Sequence, residues 1–182
     1  MKRSAIAAVV AGFGAAAALL FLVASGPPQT GSISTARPLW VETKWPFPMD
    51  QWGEGKAFQC KAADCGRDLR LYVRAKIGFC SSTIGVADDS ELERLSDFDF
   101  MKGAVARGGS HEIAVAWMKG RLRTYTIGAG TTATSIAYNN ESDALVATIV
   151  ADGAEPAAEP IVIAFLSGEP MQRWVKKTLG VE

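Results

Sequence analysis

The chain has little histidine, little cysteine and no excess charge of either sign. One histidine in 182 residues excludes a multi-histidine metal site within a single chain. Three cysteines are too few to build a disulfide miniprotein. Nineteen basic and nineteen acidic residues cancel. A dedicated nucleic-acid binder should be basic, so no nucleic-acid partner is expected. The G-x-S-x-G elbow, the P-loop, the dinucleotide fingerprint and the redox Cys-x-x-Cys pair are all missing. Gly12-Phe13-Gly14 lies inside an apolar run and is no phosphate loop. No cofactor is expected. What is present is an ordinary globular composition, 48% apolar and 21% charged. That excludes disorder, collagen and coiled coil as global descriptions and suits one domain.

The N-terminus carries an address. Met1-Lys2-Arg3 is a short positive end, and residues 5–24 form an apolar run without charge. This pattern predicts export, with Lys2 and Arg3 held on the cytoplasmic side. Two outcomes are open. The small residues Val23-Ala24-Ser25 offer a signal-peptide cleavage site. Alternatively the run stays as a transmembrane anchor, since twenty residues at about 1.5 Å each span about 30 Å of bilayer core. The expected location is thus the inner membrane facing the periplasm, or the periplasm itself after cleavage. Residues 26–38 are rich in Gly, Ser, Thr and Pro and read as a flexible linker. Residues 39–182 are predicted to form a single periplasmic domain.

The predicted class of that domain is α+β. A mostly antiparallel sheet of about five or six strands is covered by two short helices and an aromatic segment. Leu69–Ile77 alternates strictly, with Arg70, Tyr72, Arg74 and Lys76 forming a basic outer face. That face is predicted to be a solvated edge. Ile113–Met118 is apolar on both faces and reads as a covered central strand, with Lys119-Gly120 turning into a strand at Arg121–Ile127. Thr131–Tyr138, Ala144–Ala151 and the β-branched run Ile161–Leu166 complete the strands. Ala87–Met101 reads as a short helix capped near Asp88, with Leu92, Leu95 and Phe98 as its apolar stripe. Its six acids lack calcium-loop spacing. Pro170 opens a final helix with Met171, Trp174, Val175 and Leu179 inward and Gly180 at its end.

Few residues carry chemistry. Trp40, Trp45 and Trp52 fall within 13 residues, with prolines at 46 and 48. They predict an extended segment packed over the domain, or an aromatic platform for sugar rings or a proline-rich partner. Beside Arg70, Arg74 and Lys76 they form the candidate ligand or partner surface. In an oxidising compartment Cys60, Cys65 and Cys80 should include one disulfide. Loop entropy gives about 2.2 kcal/mol for Cys60–Cys65 and about 3.3 kcal/mol for Cys60–Cys80. The turn-forming Asp64 and Gly66 favour Cys60–Cys65. The competing use is a thiol or metal site of Cys60, Cys65, Cys80 and His111, or Cys80 and His111 as a nucleophile–base pair.

The close cysteine pair and the alternating strands of an exported chain resemble small bacterial periplasmic proteins of the invasion-associated locus B type. The likeness covers the cysteine region alone and carries no site residue over.

Two functional classes follow. The first is an exported, membrane-tethered, non-enzymatic binding or accessory module of the cell envelope. Its partners would be the membrane, through residues 5–24, and an envelope protein. The second is a thiol- or metal-dependent periplasmic activity built on Cys80 and His111 with Cys60 and Cys65.

Overall fold

Alternation sets the middle of the sheet. In β3 (Leu69–Lys76) Leu69, Leu71 and Val73 are fully buried on one face, while Arg70 and Tyr72 point to the other. The structure, a computed structural model, describes residues 39–79, 85–97, 101–128, 130–153 and 159–181. All of them fall within the compact unit Thr35–Glu182. The remaining elements are β1 (Trp40–Thr43), β2 (Lys56–Cys60), α1 (Ala62–Cys65), α2 (Asp89–Leu95), β4 (Ala104–Ala106), β5 (His111–Val115), β6 (Met118–Ile127), β7 (Thr131–Asn140), β8 (Asp143–Asp152), α3 (Glu159–Leu166) and α4 (Glu169–Leu179).

The strands pair antiparallel in the order β1-β2-β3-β8-β7-β6, and β6 takes β5 and β4 along successive parts of its outer edge. The two long central strands face each other from Thr131↔Asp152 to Asn140↔Asp143, closed by a turn at Glu141-Ser142. One sheet face forms the main core. Leu71, Val73, Leu122, Ile136, Leu145 and Ile149 pack there beneath Val162 and Leu166 of α3 and Met171 and Val175 of α4. At about 1.5–3 kcal/mol per buried side chain this layer is the chief source of stability. On the opposite face Leu92 and Leu95 of α2 pack with Val86 on Ala137, Ala144 and Val146. The chain is therefore an α+β domain on a mostly antiparallel sheet, as the sequence predicts.

Several expectations are corrected. Among the described residues there are eight strands and four short helices, not five or six and two. The short elements β1, β2 and β4 add their edges to longer partners, and runs of three to five residues leave little periodicity to read. Ile161–Leu166 belongs to a helix, not a strand. Val162 and Leu166 stand four apart and are both buried, and the modest helix propensity of β-branched residues yields to that burial. β5 is an edge strand whose Glu112 and Ala114 are exposed, so it is not covered on both faces.

The turn before β6 is Ala116-Trp117, with Val115 paired to Met118 and Ala116 at φ 53°. Gly120 instead lies inside β6. A Cβ there would sit 2.2 Å from the Ala137 carbonyl oxygen, so glycine serves close packing rather than a turn. The basic face of β3 is solvated only at Arg70. Arg74 and Lys76 are buried because residues 45–52 and the end of α2 cover them.

The two long-helix assignments fare differently at their ends. Asp88 caps α2 by accepting a hydrogen bond from the Glu91 N–H at 2.9 Å, but α2 stops at Leu95. α4 starts at Glu169 with Pro170 in its first turn and ends on Gly180 in the left-handed conformation. Among the described residues no helix is long and apolar enough to cross a membrane. The run 5–24, the linker 26–38, Cys80 and Phe98 lie outside the described residues.

Candidate ligand cleft

Two cations on one strand face cannot be buried without counter-charge. β3 presents Arg74 and Lys76 on its outer side, and two carboxylates meet them. Arg74 Nε donates to Asp97 Oδ2 at 2.9 Å, and Nη2 donates to Asp97 Oδ1 at 2.6 Å. Its Nη1 donates to Asp50 Oδ2 at 2.6 Å. Lys76 Nζ donates to the Leu95 carbonyl oxygen at 2.6 Å and lies 2.9 Å from Asp97 Oδ1. Leu95 is the last residue of α2, so the ammonium also meets the negative end of that helix. Arg74 is 4% exposed and Asp97 5% exposed. Arg–carboxylate contacts of this forked kind are strong and directional.

Asp50 joins the aromatic segment to this cluster. One carboxylate oxygen takes the Arg74 bond, and the other accepts the Trp52 N–H at 2.8 Å. Burial alone would raise the Asp50 pKa. The hydrogen bonds from Arg74 and Trp52, with the charges of Arg74 and Lys76, outweigh it and hold the carboxyl below its usual range. Burial likewise lowers the Arg74 pKa, and the bonds and charges of Asp97 and Asp50 reverse this and raise it. Gly55 lets the same segment close on β3, where a Cβ would lie 2.3 Å from the Val73 carbonyl oxygen.

Aromatic rings wall the cluster. Trp52 meets Phe79 edge-on at 5.1 Å between centroids. Lys76 Nζ is 5.9 Å from the Trp52 ring centre and 5.6 Å from that of Phe79. Arg94 lies 4.8 Å over Phe79. Together Asp50, Trp52, Lys76, Phe79, Arg94 and Asp97 line a cleft of about 510 Å³, with Gln51 at its side. That volume is within the range of about 300–1,000 Å³ for small-molecule sites.

The candidate surface read from the sequence is thereby divided. Trp52, Arg74 and Lys76 come together in the cleft. Trp45 is buried beside it, edge-on to Phe47 and Tyr72. Arg70 is half-exposed, 3.7 Å from Asp152, and lines a separate hollow of about 250 Å³ with Lys44 and Tyr72. Trp40 stacks on Phe165 of α3 at 4.9 Å, on the opposite face of the sheet. Six lining residues lie outside that candidate surface: Asp50, Gln51, Phe79, Arg94, Ser96 and Asp97. Two cations at alternate strand positions are a signal for buried acids. The acid-rich run near Asp97 was the place to look.

Cys60 and Cys65 form a disulfide, with Cα atoms 6.0 Å apart. In that state neither offers a thiolate to a metal. His111 Nε2 lies 3.1 Å from Glu159 Oε1, on β5 at the far side of the sheet from β2. Among the described residues no group of three or more His, Cys, Asp or Glu is placed to hold a metal ion. The acids of α2 have other partners. Asp89 accepts the Ser110 N–H at 3.0 Å, and Glu93 accepts from Arg123 at 2.6 Å.

Comparison with family models, with curated proteins and with solved structures gave no match.

Proposed function

We propose that this chain is an exported, membrane-tethered and non-enzymatic binding module of the cell envelope. Its ligand or partner face is the outer side of β3, centred on the cleft that Trp52 and Phe79 line. Export and tethering rest on Met1-Lys2-Arg3, the apolar run 5–24 and the linker after it. The observation that carries the binding reading is the preformed floor of the cleft. Arg74, Lys76, Asp50 and Asp97 hold one another at 2.6–2.9 Å. A wall already fixed in place loses little freedom when a ligand arrives. The alternative activity on Cys80 and His111 loses two of its four ligands to the Cys60–Cys65 disulfide.

The test is site-specific photo-crosslinking in the producing cell, with the full-length chain. A crosslinker replaces Gln51 beside the cleft, or Lys177 on α4 in the other layer. A discrete adduct from position 51 and none from position 177 is expected. Adducts from position 177 alone, or from neither, overturn the assignment.

A further inference from the structure

The charges of the cleft say what kind of ligand it takes. Its three cations are Arg74, Lys76 and Arg94. Asp50 and Asp97 answer the first two, and Glu91 Oε1 lies 3.4 Å from Arg94 Nη2. Three positive charges thus meet three negative ones. At Arg74 and Lys76 an anionic ligand would have to displace carboxylates already held at 2.6–2.9 Å, at Arg94 it would meet the neighbouring Glu91 carboxylate, and a cationic ligand would have to displace the guanidinium and ammonium. Neither gains from the field of the site.

The cleft is nevertheless rich in hydrogen-bonding groups. The Asp50 carboxylate is 43% exposed and can accept further bonds; the Arg94 side chain is 48% exposed and carries a planar fork of donors. The Gln51 amide both donates and accepts. Forked donors and acceptors suit pairs of adjacent hydroxyls. Beside them the half-buried Trp52, braced edge-on by Phe79, offers flat apolar surface, which suits the C–H face of a saturated ring. A purely apolar ligand would leave the polar lining unpaired, at a cost of about 1–3 kcal/mol per group.

We propose that the cleft binds an uncharged saccharide, with one ring face against Trp52 and its hydroxyls on Asp50, Gln51 and Arg94. This deepens the binding-module reading and rests on it. The ligand can be a free sugar or a segment of a glycan strand, and both share the same ring and hydroxyl chemistry.

The experiment titrates the full-length chain in detergent with N-acetylglucosamine, glucose, chitotetraose and cellotetraose. Acetate and inorganic phosphate are the charged controls. The readout is the Trp52 indole N–H resonance. At least one sugar should move it saturably, with a Kd on the order of 1 mM. Binding by a tetrasaccharide alone points to a glycan segment, and equal binding by its monomer points to a free sugar. Trp52→Ala, followed through the Gln51 backbone amide resonance because it lacks the indole, should weaken binding about tenfold or more. Arg94→Met, at an exposed position, should weaken it with the fold intact. Trp117→Ala, on the β5–β6 turn, should leave it unchanged.

Absence of any sugar-dependent shift, or an equal response to acetate or phosphate, overturns the saccharide assignment. If position 51 still gives its crosslink in the cell, that failure leaves the binding module standing. If the crosslink is lost as well, both readings fall.

Discussion

Arg74 and Asp97 meet in a two-bond fork and are both sealed from solvent, although they come from a strand and a helix end 23 residues apart. The pair fixes where the chain leaving α2 lies on the sheet. It also sets one wall of the cleft. Such a pair adds little net stability when intact but is costly to break, because its partner stays buried with its charge.

Asp97→Ala should therefore cost about 3–5 kcal/mol, since Lys76 loses its carboxylate and Arg74 loses the two-bond fork and keeps Asp50 alone. Urea unfolding of wild type and variant measures it through the shift in midpoint. A loss below about 1 kcal/mol would mean that the two cations find other acceptors and that the fork does not hold the wall.

Asp50 gives the fold a pH dependence of definite sign. Its pKa is held below the ordinary value of 3.8, so folding favours its charged form. The resulting stability is full above 3.8 and is lost as pH falls through the lower folded value. Asp89 acts in the same direction, chiefly through the hydrogen bonds from Ser110, and Arg123 assists. Asp50→Asn should flatten, without abolishing, the decline of the unfolding midpoint below about pH 4. Parallel acid curves for the two proteins would show that the Arg74 contact does not contribute to folding.

The alternating strands were legible because a period of two survives in single sequences, as Leu69, Leu71 and Val73 illustrate. The Cys60–Cys65 pairing was legible from its turn residues. The helix α4 was legible from its proline, its stripe and its terminal glycine. Most of the cleft was not. The sequence marks Trp52, Arg74 and Lys76 as residues of the right kind. It does not say that the covering segment brings Asp50 to Arg74 across 24 positions. Trp40 follows the same rule in reverse. It is a neighbour of Trp45 in sequence, yet pairing with β2 carries it to the other face of the sheet.

The helical run Ile161–Leu166 gives its own test. Leu166 is fully buried with Val162 against the main core, four residues apart on one helix face. Leu166→Ala should cost about 2–5 kcal/mol. Ala164→Ser, on the exposed side of α3, should change stability by less than about 0.5 kcal/mol. Comparable losses at both positions would contradict a one-sided helix.

The covalent state and the membrane address can be read in one experiment. The non-reducing intact mass is measured for chains from the soluble and membrane fractions of the producing cell. The membrane fraction should hold a chain that keeps Lys2 and Arg3 and is lighter by the two hydrogens of one disulfide. Reducing that disulfide should cost about 2 kcal/mol, because it closes a loop of only six residues. A soluble chain beginning near Ser25 would replace the tether with a cleaved signal peptide and leave the cleft argument intact. A chain with every thiol reduced would return Cys60 and Cys65 to the pool of metal ligands. It would also reopen the activity on Cys80 and His111, because thiolates, unlike a disulfide, can coordinate zinc.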